Sequence, residues 1–111
     1  MKIELAKKEI IHFIGIGGIG MSGLALIMKA KGFQIQGSDI NKNKNIEKLK
    51  KQGVRIFIGQ KKQNIKDVTI VVTSSAIKKS NPELLEAKRK KLPVIKSCLL
   101  YTSPSPRDMW T

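Results

Sequence analysis

The stretch HFIGIGGIGMSGLA, residues 12–25, places glycines at 15, 17, 18 and 20 between two apolar runs and carries no charge. Such a run suits either a membrane segment or a tight turn joining a strand to a helix, and its flanks decide between them. Lys2, Lys7 and Lys8 precede an uncharged span from Ile10 to Met28, the outline of a signal peptide or a spanning helix. Against that outline, Glu4 and Glu9 interrupt the basic flank, and the glycines weaken helix propensity where a span needs it. The spacing Gly15-x-Gly17-x-x-Gly20 favours the turn.

Working outward, EIIHFIGI reads as a strand ended by Gly15, and a helical pattern runs on from Gly20 with Leu24, Ile27 and Met28 on one face. Gly32 suits the position just past that helix. FQIQGSD is a second strand, NIEKLKKQG a short helix ended by Gly53, VRIFIG a third strand and VTIVVTSS a fourth, apolar enough to be buried on both faces. In SNPELLEAKRKKL, Pro82 opens a helix and makes Asn81 its expected N-cap, with Glu83 near the positive end of the dipole and basic residues 88–91 near the negative end. PVIK is a fifth strand. The order β-α-β-α-β-β-α-β implies a Rossmann-like α/β domain, a mostly parallel five-stranded sheet with helices on both faces. Residues 59–67 are the weak point, short for a crossover between parallel strands.

At 111 residues the chain has room for one domain. We place it at residues 1–96. Residues 97–111, SCLLYTSPSPRDMWT, lose the Lys/Ile/Asn style and have no hydrophobic period; they read as sequence foreign to the domain, such as adaptor read-through. The lone Cys98 excludes an intramolecular disulfide and fits a cytoplasmic location; with the lone His12 it cannot assemble a zinc-type cluster, so no metal site is expected. The net charge of +14 suggests nucleic acid, but the basic residues are spread over 42–51, 61–66, 78–79 and 88–91, and aromatics make up only 5%, too few to stack bases. We read a solvated lysine-rich surface and expect neither a nucleic-acid partner nor membrane insertion.

Between a strand and a helix, the glycine motif has the context that gives it meaning. Gly15 would allow the tight turn, Gly17 the approach of a pyrophosphate, and Gly20 the close packing of helix on strand. Asp39, ending the second strand, stands where a carboxylate can bind ribose hydroxyls. On these residues alone the ligand is a nucleoside diphosphate, and an NAD(P)-binding oxidoreductase domain or a nucleotide-sensing regulatory domain remains open. His12, with no partner evident in the sequence, reads as a satisfied histidine in or near the core.

GIGGIGM, GFQIQGSD, VVTSSAIKKSNPEL and LPVIK, in this order and spacing, resemble the N-terminal domain of the Mur ligases, ATP-dependent amide ligases of peptidoglycan synthesis. Within them the glycine loop is similar to the branch that adds L-alanine to UDP-N-acetylmuramate; the tripeptide-recycling branch has a loop closer to G-I-C-G-T-F-M. The resemblance covers residues 10–96. It departs at Gln60, where the family usually has His, and at Ser97 and Cys98, which break the continuation of the last strand. It implies that UDP-N-acetylmuramate binds with its diphosphate over Gly15, Gly17, Gly18, Ile19, Gly20 and Met21, its nucleoside toward Ser38 and Asp39, and the loop of Ser74, Ser75 and Ala76 across from it. The family's reaction uses ATP and Mg²⁺, but no G-x-x-x-x-G-K-[S/T] occurs in the chain. The expectation is therefore a substrate-binding part of such a ligase, with no catalytic residue of its own and the remaining ligase domains in a parent chain.

Overall fold

The computed structural model describes residues 9–40, 42–74 and 77–96. The expected tail from 97 onward lies outside them, as do Ser75 and Ala76. Strands β1 (Ile10–Ile14), β2 (Gln34–Asp39), β3 (Arg55–Ile58), β4 (Ile70–Thr73) and β5 (Val94–Lys96) form one sheet in the order β3-β2-β1-β4-β5. Every pairing is parallel. Helices α1 (Ile19–Ala30) and α2 (Lys44–Lys51) follow β1 and β2, and α3 (Pro82–Arg89) precedes β5. None of these helices is long and apolar enough to cross a membrane.

The connection from β3 to β4 resolves the weak point of the sequence reading. It passes from the sheet edge back beneath β2 and β1, three strand spacings or about 14 Å, which a few extended residues reach. The segment needs no full helix: a 3₁₀ turn at Lys62–Ile65 packs against α3 and buries Ile65.

Alternation along the strands divides the interior in two. Ile11, Phe13, Ile35, Ile70 and Val72 join Met21, Leu24, Ala25 and Met28 of α1 and Ile46 and Leu49 of α2. Ile14 and Val71 join Ile65, Val68 and the α3 residues Leu84 and Ala87 on the other face. All four residues of β4 are buried, as its unbroken apolar run requires. The expected N-cap is also present: Asn81 Oδ1 accepts from the Glu83 and Leu84 amides at 2.9 and 3.4 Å.

The close packing assigned to Gly20 occurs elsewhere. A Cβ at Gly20 would meet nothing within 4 Å, whereas one at Gly37 in β2 would lie 2.4–2.9 Å from three Ile16 side-chain atoms. Ile16 is fully buried just after β1, so the glycine that lets the loop lie against the sheet is on the neighbouring strand. Gly37→Ala should therefore lower stability by about 1–3 kcal/mol through overpacking. Gly20→Ala, in an exposed helical turn with open space, should leave it unchanged or raise it by up to about 1 kcal/mol. Urea denaturation of the two variants checks the contrast.

Candidate functional site

The loop after β1 is held in shape by its neighbours. Gly15 turns the chain at φ +78°, and the Gly15 and Ile16 amides both donate to the Ser38 carbonyl at 2.9 Å. Gly17 donates its amide to Asp39 Oδ2 at 2.8 Å, while its carbonyl accepts from the Asn45 side-chain amide at 3.0 Å and that of Asn43 at 3.4 Å. A Cβ there would lie 2.7 Å from Asp39 Oδ2 and 3.1 Å from Ile46. Gly17 is buried, and Asp39 and α2 pressing on the loop leave little room for a side chain there.

Where α1 begins, the backbone is open. Its N-cap is Gly18, which offers no side-chain acceptor, whereas Asn43 and Asn81 cap α2 and α3. No side-chain cap hydrogen bond is made at this helix start, which is the positive end of the helix dipole. Beside this helix start is a cleft of about 520 Å³ lined by Gly15, Gly18 and Met21 on one side, Asp39 and Ile40 at the end of β2, and Gln60, Ser74, Ile77, Lys78 and Asn81 on the other. It lies beyond the carboxyl ends of β1 and β4, where the strand order reverses, the position at which open α/β sheets bind ligands.

Of the sequence-derived site residues, Gly15, Gly18, Met21, Asp39 and Ser74 line this cleft. Ile19 and Gly20 form the first turn of α1. Asp39 is fixed at both oxygens, Oδ2 by Gly17 and Oδ1 by the Ile40 amide at 2.8 Å. Ser38 is placed differently: its side chain is fully buried and faces α3, away from the cleft lining. Gln60 and Lys78, which the sequence reading left out of the site, both line the cleft. Lys78 was hidden among many similar lysines; Gln60 showed itself only as a departure from the family pattern.

Under the α3 side of the cleft lies a closed polar cluster. Glu83 has no solvent exposure, and its carboxylate receives Ser38 Oγ at 2.6 Å and His12 Nε2 at 2.8 Å on Oε1, and the Lys61 amide at 3.2 Å and the Asn64 side-chain amide on Oε2. The Gln36 amide nitrogen donates both to the Asn64 carbonyl at 2.9 Å and to His12 Nδ1 at 2.8 Å. His12 therefore accepts on Nδ1 and donates from Nε2, and is the satisfied core histidine expected. Among the described residues no buried side-chain N or O atom lacks a partner. Burial works to raise the Glu83 pKa, but the hydrogen bond and electrostatic attraction of His12, with the hydrogen bonds from Ser38 and Asn64, outweigh it and hold the group below its ordinary value of 4.5.

The family model "Mur ligase family, catalytic domain" matches residues 10–99. The chain belongs to the Mur ligase family. It is 69% identical over 96 residues to the UDP-N-acetylmuramate–L-alanine ligase of Pelagibacter ubique, covering 86% of this chain and 21% of that protein. To the ligase of the same name from Rickettsia prowazekii it is 55% identical over 86 residues, covering 78% and 17%. The crystal structure of the UDP-N-acetylmuramate–alanine ligase of Thermotoga maritima superposes with a TM-score of 0.80 at 34% identity over 83% of this chain and 21% of that one. The murein peptide ligase of Psychrobacter arcticus gives 0.77 at 27% identity over 82% and 19%. This Mur ligase chain thus spans about a fifth of the length of these relatives, corresponding to their N-terminal portion.

The lowered Glu83 pKa sets a direction for acid stability. A carboxylate with a depressed folded-state pKa contributes stability above its unfolded value and loses it as pH falls through the folded one. Glu83→Gln should cost about 1–3 kcal/mol near neutral pH by facing an amide NH₂ toward donors. Its deficit should shrink as pH drops below about 4.5, where the wild-type carboxyl takes up its proton. Chemical denaturation across pH 3–7 (roughly the span over which carboxylates titrate) measures the gap; a gap constant across that range contradicts the assignment.

Proposed function

We propose that this chain holds UDP-N-acetylmuramate for a cytoplasmic ATP-dependent ligase that joins L-alanine to it in peptidoglycan synthesis. The observation that carries the reading is the uncapped start of α1 opening on a switch-point cleft, in a chain of this family. The diphosphate would lie over Gly18, Ile19, Gly20 and Met21, taking hydrogen bonds from the first amides of α1 with the dipole behind them. Gly15 and Gly17 would shape the loop. Asp39 would accept from the nucleoside, Ser38 would support it from behind, and Ser74 would face the ligand from the end of β4. Met21, Ile40 and Ile77 supply apolar surface for a base or sugar ring, and Lys78 a cation within reach of the anionic ligand.

ATP and Mg²⁺ belong to the family's reaction, but the residues here do not fit them. No Walker-type loop occurs in the sequence. Among the described residues no group of three His, Cys, Asp or Glu side chains could hold a metal ion. The chain's own contribution is to bind and orient one substrate, with carboxylate activation and amine attack supplied by further domains of a parent ligase.

Titration calorimetry with UDP, UDP-N-acetylmuramate and NAD⁺ tests the reading. Both uridine nucleotides should bind, and NAD⁺ should bind at least about tenfold more weakly, a difference of ~1.4 kcal/mol. Asp39→Ala should cost UDP about 1.5–3 kcal/mol, the worth of a hydrogen bond to a charged group, while sparing inorganic pyrophosphate. A preference for NAD⁺ would contradict the reading of this cleft as a UDP-sugar site.

A further inference from the structure

The glycine loop and the Gln60–Asn81 wall of the cleft come from segments far apart in the chain, carried on strands that the sheet joins through the β1–β4 and β2–β3 pairings. On one side, the glycine loop hangs from the Ser38 carbonyl through the Gly15 and Ile16 amides. On the other, Asn81 caps α3 through its Oδ1 and donates its side-chain amide to Gln60 Oε1 at 2.6 Å, so that Gln60 and Asn81 form one wall. Glu83 is in the first turn of α3, two residues beyond Asn81, and also accepts the amide of Lys61, the neighbour of Gln60. Besides the backbone bond from the Gly59 amide to the Asp39 carbonyl at 2.7 Å, a buried side-chain contact links the two sides: Ser38 Oγ donates to Glu83 Oε1 at 2.6 Å, with both side chains fully buried.

We propose that Ser38 and Glu83 are positioning residues that tie the glycine loop to the Gln60–Asn81 wall and so set the width of the ligand cleft. The inference rests on the cleft being the ligand site, and it gives Ser38 its role through the floor of that site. The hydroxyl and the carbonyl of one residue act in opposite directions: the carbonyl fixes the loop, and the hydroxyl fixes α3. Charge makes the tie rigid. An ionised acceptor gives hydrogen bonds that are shorter and roughly twice as strong as neutral ones, and four donors from β1, β2 and the 59–65 segment leave this carboxylate no alternative arrangement. Ligand geometry tolerates little movement, because a site loosened by about 1 Å loses much of its effect.

The test compares Ser38→Ala and Glu83→Gln with Met28→Ala, a core truncation at the far end of α1 from the cleft. All are measured under conditions where circular dichroism shows them folded. Two readouts are taken: UDP affinity, and the backbone amide shifts in ¹H–¹⁵N spectra. The two tie variants should weaken UDP at least about fivefold, while Met28→Ala, whatever its loss of stability, should stay within about twofold. Both should also move the amide signals of Gly18, Asp39, Gln60 and Asn81 together, on the two sides of the cleft. Ser38→Ala removes one donor only, and so carries the test if Glu83→Gln does not fold. UDP affinity within twofold of wild type in a folded tie variant overturns the proposal, as does a shift confined to one side. If the wild-type chain itself does not bind UDP, the functional reading fails, and the amide shifts alone decide the positioning role.

Discussion

A carboxylate removed from water must have its lone pairs met by protein donors, and that requirement organises one half of this molecule. Leaving such a charge unsatisfied costs several kcal/mol, so the donors of Glu83 cannot be supplied approximately. They come from His12 in β1, Ser38 in β2, Asn64 in the 3₁₀ turn and the Lys61 backbone. Each has one position in which it reaches the carboxylate, and together these fix where α3 begins against the sheet. The opposite face, under α1 and α2, is held mainly by apolar packing, with Asn43 and Asn45 of the α2 start bonding the Gly17 carbonyl.

Much of the architecture is legible in the sequence because it rests on local chemistry. Asn81 before Pro82 announces a helix start, the unbroken run in β4 announces burial on both faces, and alternating strand and helix patterns announce parallel pairing. The short β3–β4 connection looked like an obstacle only while the strand order was unknown. What local pattern could not reveal were contacts across the sheet. His12 finds Glu83 at a separation of 71 residues and Gln36 at 24. Ser38 stands beside the Asp39 of a nucleotide motif, so adjacency suggested a ligand role, yet successive strand residues point to opposite faces and Ser38 is covered by α3. The glycines show the same limit: the motif names Gly17 and Gly20, but the close approach that excludes a side chain is made at Gly37 by Ile16 and at Gly17 by Asp39.

The basic charge is consistent with a binding site for one anionic small molecule. A scattered lysine surface raises the local concentration of phosphate-bearing ligands without marking where they bind. In the proposed reading, placement falls to the cleft itself: the amides at the start of α1, the fixed Asp39 carboxylate and the Gln60–Asn81 wall. Under the proposed reading, a chain spanning about a fifth of its Mur ligase relatives is a unit of recognition, with the cleft at the carboxyl edge of the sheet.

The most direct test of this account is a crystal structure of the chain with UDP. The account predicts the diphosphate within hydrogen-bonding distance, about 3 Å, of the first amides of α1, with the nucleoside reaching Asp39 and lying between the glycine loop and the 77–82 wall. A nucleotide seated on the basic surface of α3, or anywhere that leaves the start of α1 facing solvent, would contradict it.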